Sequence, residues 1–533
     1  MKLGIVIESR ADGQVEVIGW HSISFGVSPN KDAGWQPALR GFRRSGGNNG
    51  LGRNVKRAGG DASGTGVGAI CSYQAAGYER GIVGPKGGRA KAPSPTKGVR
   101  RRNFMRRWLL LPILVLTISP SRAADLPITY VRAGKLLDVR SGQMLSERVI
   151  VVRGDKIERV GAASEISIPA GARVVDLSNA TVLPGLIDAH THIFLTGESH
   201  GRYDEQLLKE SWQYRTIEAV LNVKRDVEAG FTSMRDVETE GAMYSDVDVR
   251  DAINRGLIPG PRLQVATRAI STTGGYPLEG YSPEVLVPSG AQIVDGVDEA
   301  RKAVRTQIKY GADLIKIYGT HHFHFSADGK LVSVATFTLD EVKAITDEAH
   351  REGVKVACHA YGGEGLHNCI DGGVDSIEHG LDLDDGAIRT MVAKGIYLVP
   401  TLYVYEFEPE EDLEMSGGKT TRARIHEPSF KRAMAGGVKI AFGTDVGPFP
   451  HGTQAIEFEY MTRFGMTPLA AIQAATLSAA DLMSWGDRVG EIAAGKFADI
   501  IAVSGNPLDD VKELEHVKFV MKGGEVVKNE FVH

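Results

Sequence analysis

The sequence predicts an α/β chain: a (β/α)8 TIM-like barrel with a small β-sandwich domain built from both ends of the mature chain. Three observations predict it. The middle of the chain repeats one unit, made of an amphipathic helix, a glycine and a β-branched strand. Those strands keep ending in a side chain of the metal-ligand type, and β-rich stretches stand on both flanks. Alternating helices with eight parallel strands is the pattern of a barrel whose site lies at the strands' C-terminal ends.

The chain has 533 residues and a formal net charge of -4, so its total charge singles out neither nucleic acid nor an anionic membrane as a partner. Residues 1–104 are basic and glycine-rich with little periodicity, and are expected to be a disordered or non-native extension. Residues 105–123 follow the pattern of a secretory signal peptide. Met105 is followed by Arg106 and Arg107, an apolar run spans Trp108 to Ile118, and the small residues Ser121 and Ala123 precede a cut after Ala123. The run is too short for an ordinary membrane span, so Met105 is expected to be the true start and the mature protein to be secreted or periplasmic, without a stable span. Only Cys358 and Cys369 lie beyond this segment; no disulfide framework is implied, and Cys358 is expected as a buried structural thiol.

Short alternating runs in residues 124–180 (ITYVRAGKLLDV, RVIVVRGDKIERVG, ARVVDLSNATVL) and again in 489–533 read as the two halves of the sandwich. Residues 181–488 form the barrel between them. Within it, Asp298 to Tyr310 is a helix closed by Gly311 and followed by the strand Leu314 to Tyr318. Thr338 and Glu341 form a capping box, Gly353 ends that helix, and Lys355 to His359 is the next strand. LIDAHTH, FTSMRD, LQVATR, SIEHG, IYLVPTL and KIAFGTD complete the eight strands, while the acid-rich stretch Tyr405 to Arg424 is expected as a mobile loop near the site.

The strand ends bring together His190 and His192 on the first, Lys316 on the fourth, His359 on the fifth, His379 on the sixth and Asp445 on the eighth. Residues two apart on a strand share a face, so His190 and His192 can grip one ion. The nitrogen and oxygen donors suit Zn(II) or a similar borderline metal and exceed the needs of one tetrahedral ion. An ammonium beside a dication is repelled, so Lys316 fits only as a neutral amine or as a CO2-derived carbamate able to bridge two metals.

In PGLIDAHTH, IKIY, CHA, SIEHG, FGTD and GEIAAGKFADII the chain resembles the amidohydrolase superfamily. Within it, the likeness is to the binuclear branch with a carboxylated lysine, which includes Xaa-Pro dipeptidases (prolidases) and ochratoxin-degrading amidohydrolases. The resemblance implies two divalent metal ions: His190, His192 and Asp445 hold one, His359 and His379 the other, and Lys316 bridges them. It also implies a homo-oligomer. A small-molecule amide or dipeptide bearing a carboxylate is the expected substrate, attacked by a metal-bridging hydroxide with Asp445 as general base and acid. Tyr318, on the face of Lys316, and Arg268, at the third strand's end, are candidates to hold the substrate. The chain departs from its relatives in two places. Tyr276 stands where many carry the histidine of a Gly-Gly-His turn, and His321 and His322 follow Lys316 where many have Gly-Gly. Two other readings remain: a one-metal cyclic-amide hydrolase or deaminase of the imidazolonepropionase type, in which Lys316 has no task, and a non-catalytic barrel binding protein.

Overall fold

The structure is a computed structural model that describes residues 7–9, 15–17, 126–197, 203–278, 280–407 and 409–531. The chain divides into two units, Met1–Leu114 and Val115–His533. In the first, the described residues form one antiparallel pair, β1 (Ile7–Ser9) with β2 (Val15–Val17). The signal-like segment 105–123 lies outside the described residues, as does nearly all of 1–104. Among the described residues no helix is long and apolar enough to cross a membrane.

The second unit opens with β3 (Ile128–Asp138), β4 (Gln143–Arg153), β5 (Lys156–Ala162) and β6 (Arg173–Pro184). Its middle holds β7 (Leu186–Thr191), β8 (Phe231–Asp236), β9 (Arg262–Val265), β10 (Ile270–Ser271), β11 (Gln292–Ile293) and β12 (Leu314–Tyr318). A hairpin of β13 (Thr320–Phe325) and β14 (Leu331–Ala335) precedes β15 (Lys355–Gly362), β16 (Ser376–Asp382), β17 (Tyr397–Val399) and β18 (Lys439–Ile440). The chain closes with β19 (Ile500–Val503), β20 (Phe519–Lys522) and β21 (Glu525–Asn529).

Both ends of this unit meet in one mixed sheet of seven strands, ordered β21-β20-β19-β6-β3-β4-β5. β6 joins the halves: it runs parallel to β3 on one side and antiparallel to β19 on the other, with Leu183 opposite Ile501. The two halves are therefore hydrogen-bonded as a single sheet rather than as two. Alternate residues from both, among them Val131, Ile150, Val175, Ala502 and Phe519, share one buried cluster.

The middle strands pair in parallel, β7-β8-β9 in one sheet and β11-β10-β12-β15-β16-β17-β18 in another, in chain order except that the two-residue β11 lies outside β10 at the edge. Asp313 N donates to Val265 O at 2.8 Å between β9 and β12, and at the other edge a parallel bridge pairs Thr191 with Val446. Every residue of β12 is buried; Ile315 and Ile317 pack in the main core with the helices, whereas Lys316 and Tyr318 take the opposite face, as period two requires. The intervening helices form as the sequence predicts. One spans Gly296–Lys309, with Gly311 left-handed at φ +104°, and the next, Leu339–Arg351, starts on the Thr338–Glu341 capping box.

Three expectations need correction. The eighth strand is a ladder only over Lys439–Ile440; beyond it the chain leaves the sheet to meet β7, and Gly443 permits this because a Cβ there would lie 2.3 Å from Val399 and 2.9 Å from the Cβ of His190. Cys358 is no free thiol: the helix Gly363–Gly372 folds back over β15 and carries Cys369 into a disulfide with it, at a Cα separation of 6.5 Å. The stretch Tyr405 to Arg424 is largely helical, with Val404–Phe407, Glu410–Met415 and the start of Arg422–Gly436, because buried Asp412 ties the second to the third through Arg422.

Candidate metal centre

All six predicted ligand positions line one cavity of about 560 Å³ at the C-terminal ends of the parallel strands. His190 is wholly buried, and its Nε2 lies 3.4 Å from Asp445 Oδ1; His192 Nε2 lies 3.0 Å from the same oxygen. The donor atoms of these three residues all fall within 4.8 Å of one another. His379 joins from β16 with its ring centre 4.9 Å from His190, and His359 from β15 at 4.4 Å from His379. His379 and Asp445 hold left-handed φ angles of 73° and 62°, which non-glycine residues rarely adopt and which surrounding structure must enforce.

The imidazoles are oriented from behind. His190 Nδ1 donates to Glu378 Oε2 at 2.7 Å, and His379 Nδ1 meets Thr401 Oγ1 at 2.8 Å. Glu378 is itself gripped by Arg235, whose Nη2 donates to Oε1 at 2.8 Å, and by Ser376. Burial would raise the Glu378 carboxyl, but the Arg235 guanidinium and then the His190 hydrogen bond override it and hold the group well below the usual carboxylate range. Asp445 follows the same logic: burial raises it, and the imidazoles, His190 before His192, bring it well below its ordinary value. Burial pushes His359 and His379 well down, so both rings are neutral and offer lone pairs.

These residues fit metal ions. His190 Nε2 and His359 Nε2 are buried without a hydrogen-bond partner, a costly arrangement that a cation at those lone pairs removes. Lys316 is 1% exposed and forms no ion pair among the described residues. Burial pushes its amine down against the opposing pull of Glu378 and Asp445, which favours the neutral form.

The expected substrate groups divide. Tyr318, Tyr276 and His321 line the cavity, whereas Arg268 and His322 do not. Arg268 Nη2 donates to the Ala291 carbonyl at 2.9 Å, and His322 on β13 turns its Nε2 to the carbonyl of Gly274 in the loop after β10. His321 rests 4.6 Å from the Tyr276 ring, and burial lowers its pKa to about 4. The phenols turn toward carboxylates that sequence reasoning missed. Tyr318 donates to Glu238, and both Tyr276 and Tyr203 donate to Glu240 Oε2, at 2.9 and 2.8 Å. Glu240 also approaches His192 Nδ1 at 3.2 Å. The run Val237-Glu238-Thr239-Glu240 directly after β8 is the one signal that could have found them.

Comparison with known proteins agrees with this geometry. Residues 181–527 match the family model described as amidohydrolase family. Ochratoxinase from Aspergillus niger is 32% identical over 452 residues, an alignment covering 78% of this chain and 89% of that enzyme. The crystal structure of a Xaa-Pro dipeptidase with methionine bound in its active site matches with a TM-score of 0.69 at 36% identity, covering 75% of this chain and 100% of the other. A prolidase complexed with N-methylphosphonate-L-proline matches at a TM-score of 0.67 and 29% identity, covering 76% and 100%.

Proposed function

Because the chain belongs to the amidohydrolase family and is a hydrolase of amide bonds, we propose that it is a binuclear, metal-dependent enzyme cleaving the amide of a small carboxylate-bearing substrate, such as a dipeptide or N-acyl amino acid. The observation that carries this reading is the set of six donor residues around one cavity, with His190 Nε2 and His359 Nε2 buried without a hydrogen-bond partner. His190, His192 and Asp445 would hold one ion and His359 and His379 the other. Lys316, buried and with its basicity lowered by that burial, would join them as a CO2-derived carbamate. When bound, two dications would lower the pKa of a bound water from near 16 toward about 7 and polarise the substrate carbonyl.

The remaining work falls to the chain's own residues. Asp445 stays ionised and accepts the water's proton, then returns it to the departing nitrogen. Glu378 and Thr401 fix which nitrogens of His190 and His379 face the cavity. Tyr276, Tyr318 and His321 shape the wall on which the substrate lies. We read the two parallel sheets as arcs of one (β/α)8 barrel, with the seven-stranded sheet as its attached β-domain. The Cys358–Cys369 disulfide supports the secreted or periplasmic location expected from residues 105–123, since such bonds persist in oxidising compartments.

Metal content tests the reading directly. Protein purified without chelator and with bicarbonate should carry about two metals per chain, falling sharply in Lys316→Ala. One metal, indifferent to that substitution, would point to the deaminase-like alternative, and a folded protein without metal to a binding protein.

A further inference from the structure

The expected carboxylate anchors are committed elsewhere: Arg268 donates to a backbone carbonyl, and the hydroxyls of Tyr318 and Tyr276 donate to Glu238 and Glu240. The phenol hydroxyls beside β8 are therefore already engaged by Glu238 and Glu240 and offer a substrate carboxylate no free donor there. One arginine does line the cavity. It is Arg422, the first residue of the helix Arg422–Gly436.

Its setting is a built one. The Arg422 backbone N and Nε both donate to Asp412, each at 2.8 Å, and Asp412 is 1% exposed. The guanidinium carbon lies 4.8 Å from the ring centre of Phe323 on β13 and 5.3 Å from that of Tyr405. Asp412 takes only Nε from the side chain, and Tyr361 shares the guanidinium. Asp412 thus ties the guanidinium at Nε, and the side chain lines the cavity. Glu411 lines the same rim but is exposed, where solvent screens its charge.

We propose that Arg422 reads the substrate's carboxylate through its terminal nitrogens, setting the preference for a free carboxylate over a carboxamide. A planar guanidinium tied at Nε by one carboxylate and flanked by two rings is pre-organised to take a second carboxylate in bidentate fashion. The substrate's acid end then lies against the β13–β14 hairpin and the 404–421 segment, away from Glu240. This assignment rests on the amide-hydrolase reading above and names the residue responsible for its substrate class.

The test uses the metal-loaded full chain and a panel of dipeptides and N-acyl amino acids, each paired with its C-terminal carboxamide. The wild type should prefer the carboxylate member. Arg422→Gln should cut the ratio of the two kcat/KM values by on the order of 100-fold, through the carboxylate substrate alone. Arg422→Lys, which keeps a charge for Asp412 but loses the fork, should fall between. The ratio is independent of the folded fraction, so a partly unfolded variant remains readable, and should Arg422→Gln not fold, the lysine variant carries the test. An unchanged ratio in the variants, or a wild type indifferent to the carboxylate, overturns the assignment to Arg422. A wild type that hydrolyses no member of the panel refutes the amide-hydrolase reading instead.

Discussion

Glu378→Gln probes the support of the site most sharply, because this side chain carries two separable tasks. It neutralises Arg235, whose side chain is 3% exposed, and it accepts the Nδ1 hydrogen of His190 so that Nε2 keeps its lone pair. Removing one member of a buried ion pair costs about 3–5 kcal/mol, because the partner is left as an uncompensated charge. Losing the carboxylate behind a histidine ligand weakens metal binding about 10–100-fold, or about 1.4–2.8 kcal/mol. Urea unfolding of the metal-free protein reads the first, and competition with a chromophoric chelator reads the second. The double variant Glu378→Gln/Arg235→Met separates them. Without the stranded guanidinium it should regain most of the lost stability, less the Arg235 hydrogen bond to Ala189 O, yet keep the weakened metal affinity. Wild-type metal affinity in the double variant would refute the orienting role and trace the single variant's defect to charge imbalance alone.

Asp445→Asn, assayed at saturating metal, should lose about 10²–10⁴-fold in amide hydrolysis, because the amide cannot accept the water's proton. Cys369→Ser opens the Cys358–Cys369 loop and should lower stability by about 3 kcal/mol; under dithiothreitol the wild type should fall to the variant's level in the same urea titration. The His350–Asp375 pair, 2.8 Å apart, gives a pH signature. The hydrogen bond to Asp375 raises the imidazole's folded pKa above its unfolded value, so the pair's contribution is full below about pH 6.5 and is lost as pH rises through the folded value. His350→Ala should therefore destabilise at about pH 5.5 and hardly at about pH 9. Since the side chains are 43% and 26% exposed, the difference should stay below about 1 kcal/mol.

What the sequence could and could not reveal follows from which rules were locally obeyed. Lys316 and Tyr318 were legible because β12 keeps its alternation, and the helix after the hairpin was legible because its capping box spans four adjacent residues. The six donors were legible because each lies in or just beyond the C-terminal part of a predicted strand. Glu378 was not: alternation assigns it to the face opposite His379, but His379 at φ 73° breaks the period, and both residues reach His190. The same holds for the eighth strand, whose departure from the ladder depends on the space between Val399 and His190 that Gly443 leaves open. Pairings between distant segments carry no local pattern. Cys358 with Cys369 needed a helix folded back on its strand, and Arg422 reached the cavity only because Asp412 drew an acid-rich stretch into helices. The candidate metal ligands were thus readable from the predicted strand ends, whereas the residues behind them, and Arg422 at the cavity, are set by backbone irregularity and tertiary return. This is the division to expect of a site on parallel strands. The donors must converge wherever the strands end, but the groups behind them follow from how each particular chain leaves its strand.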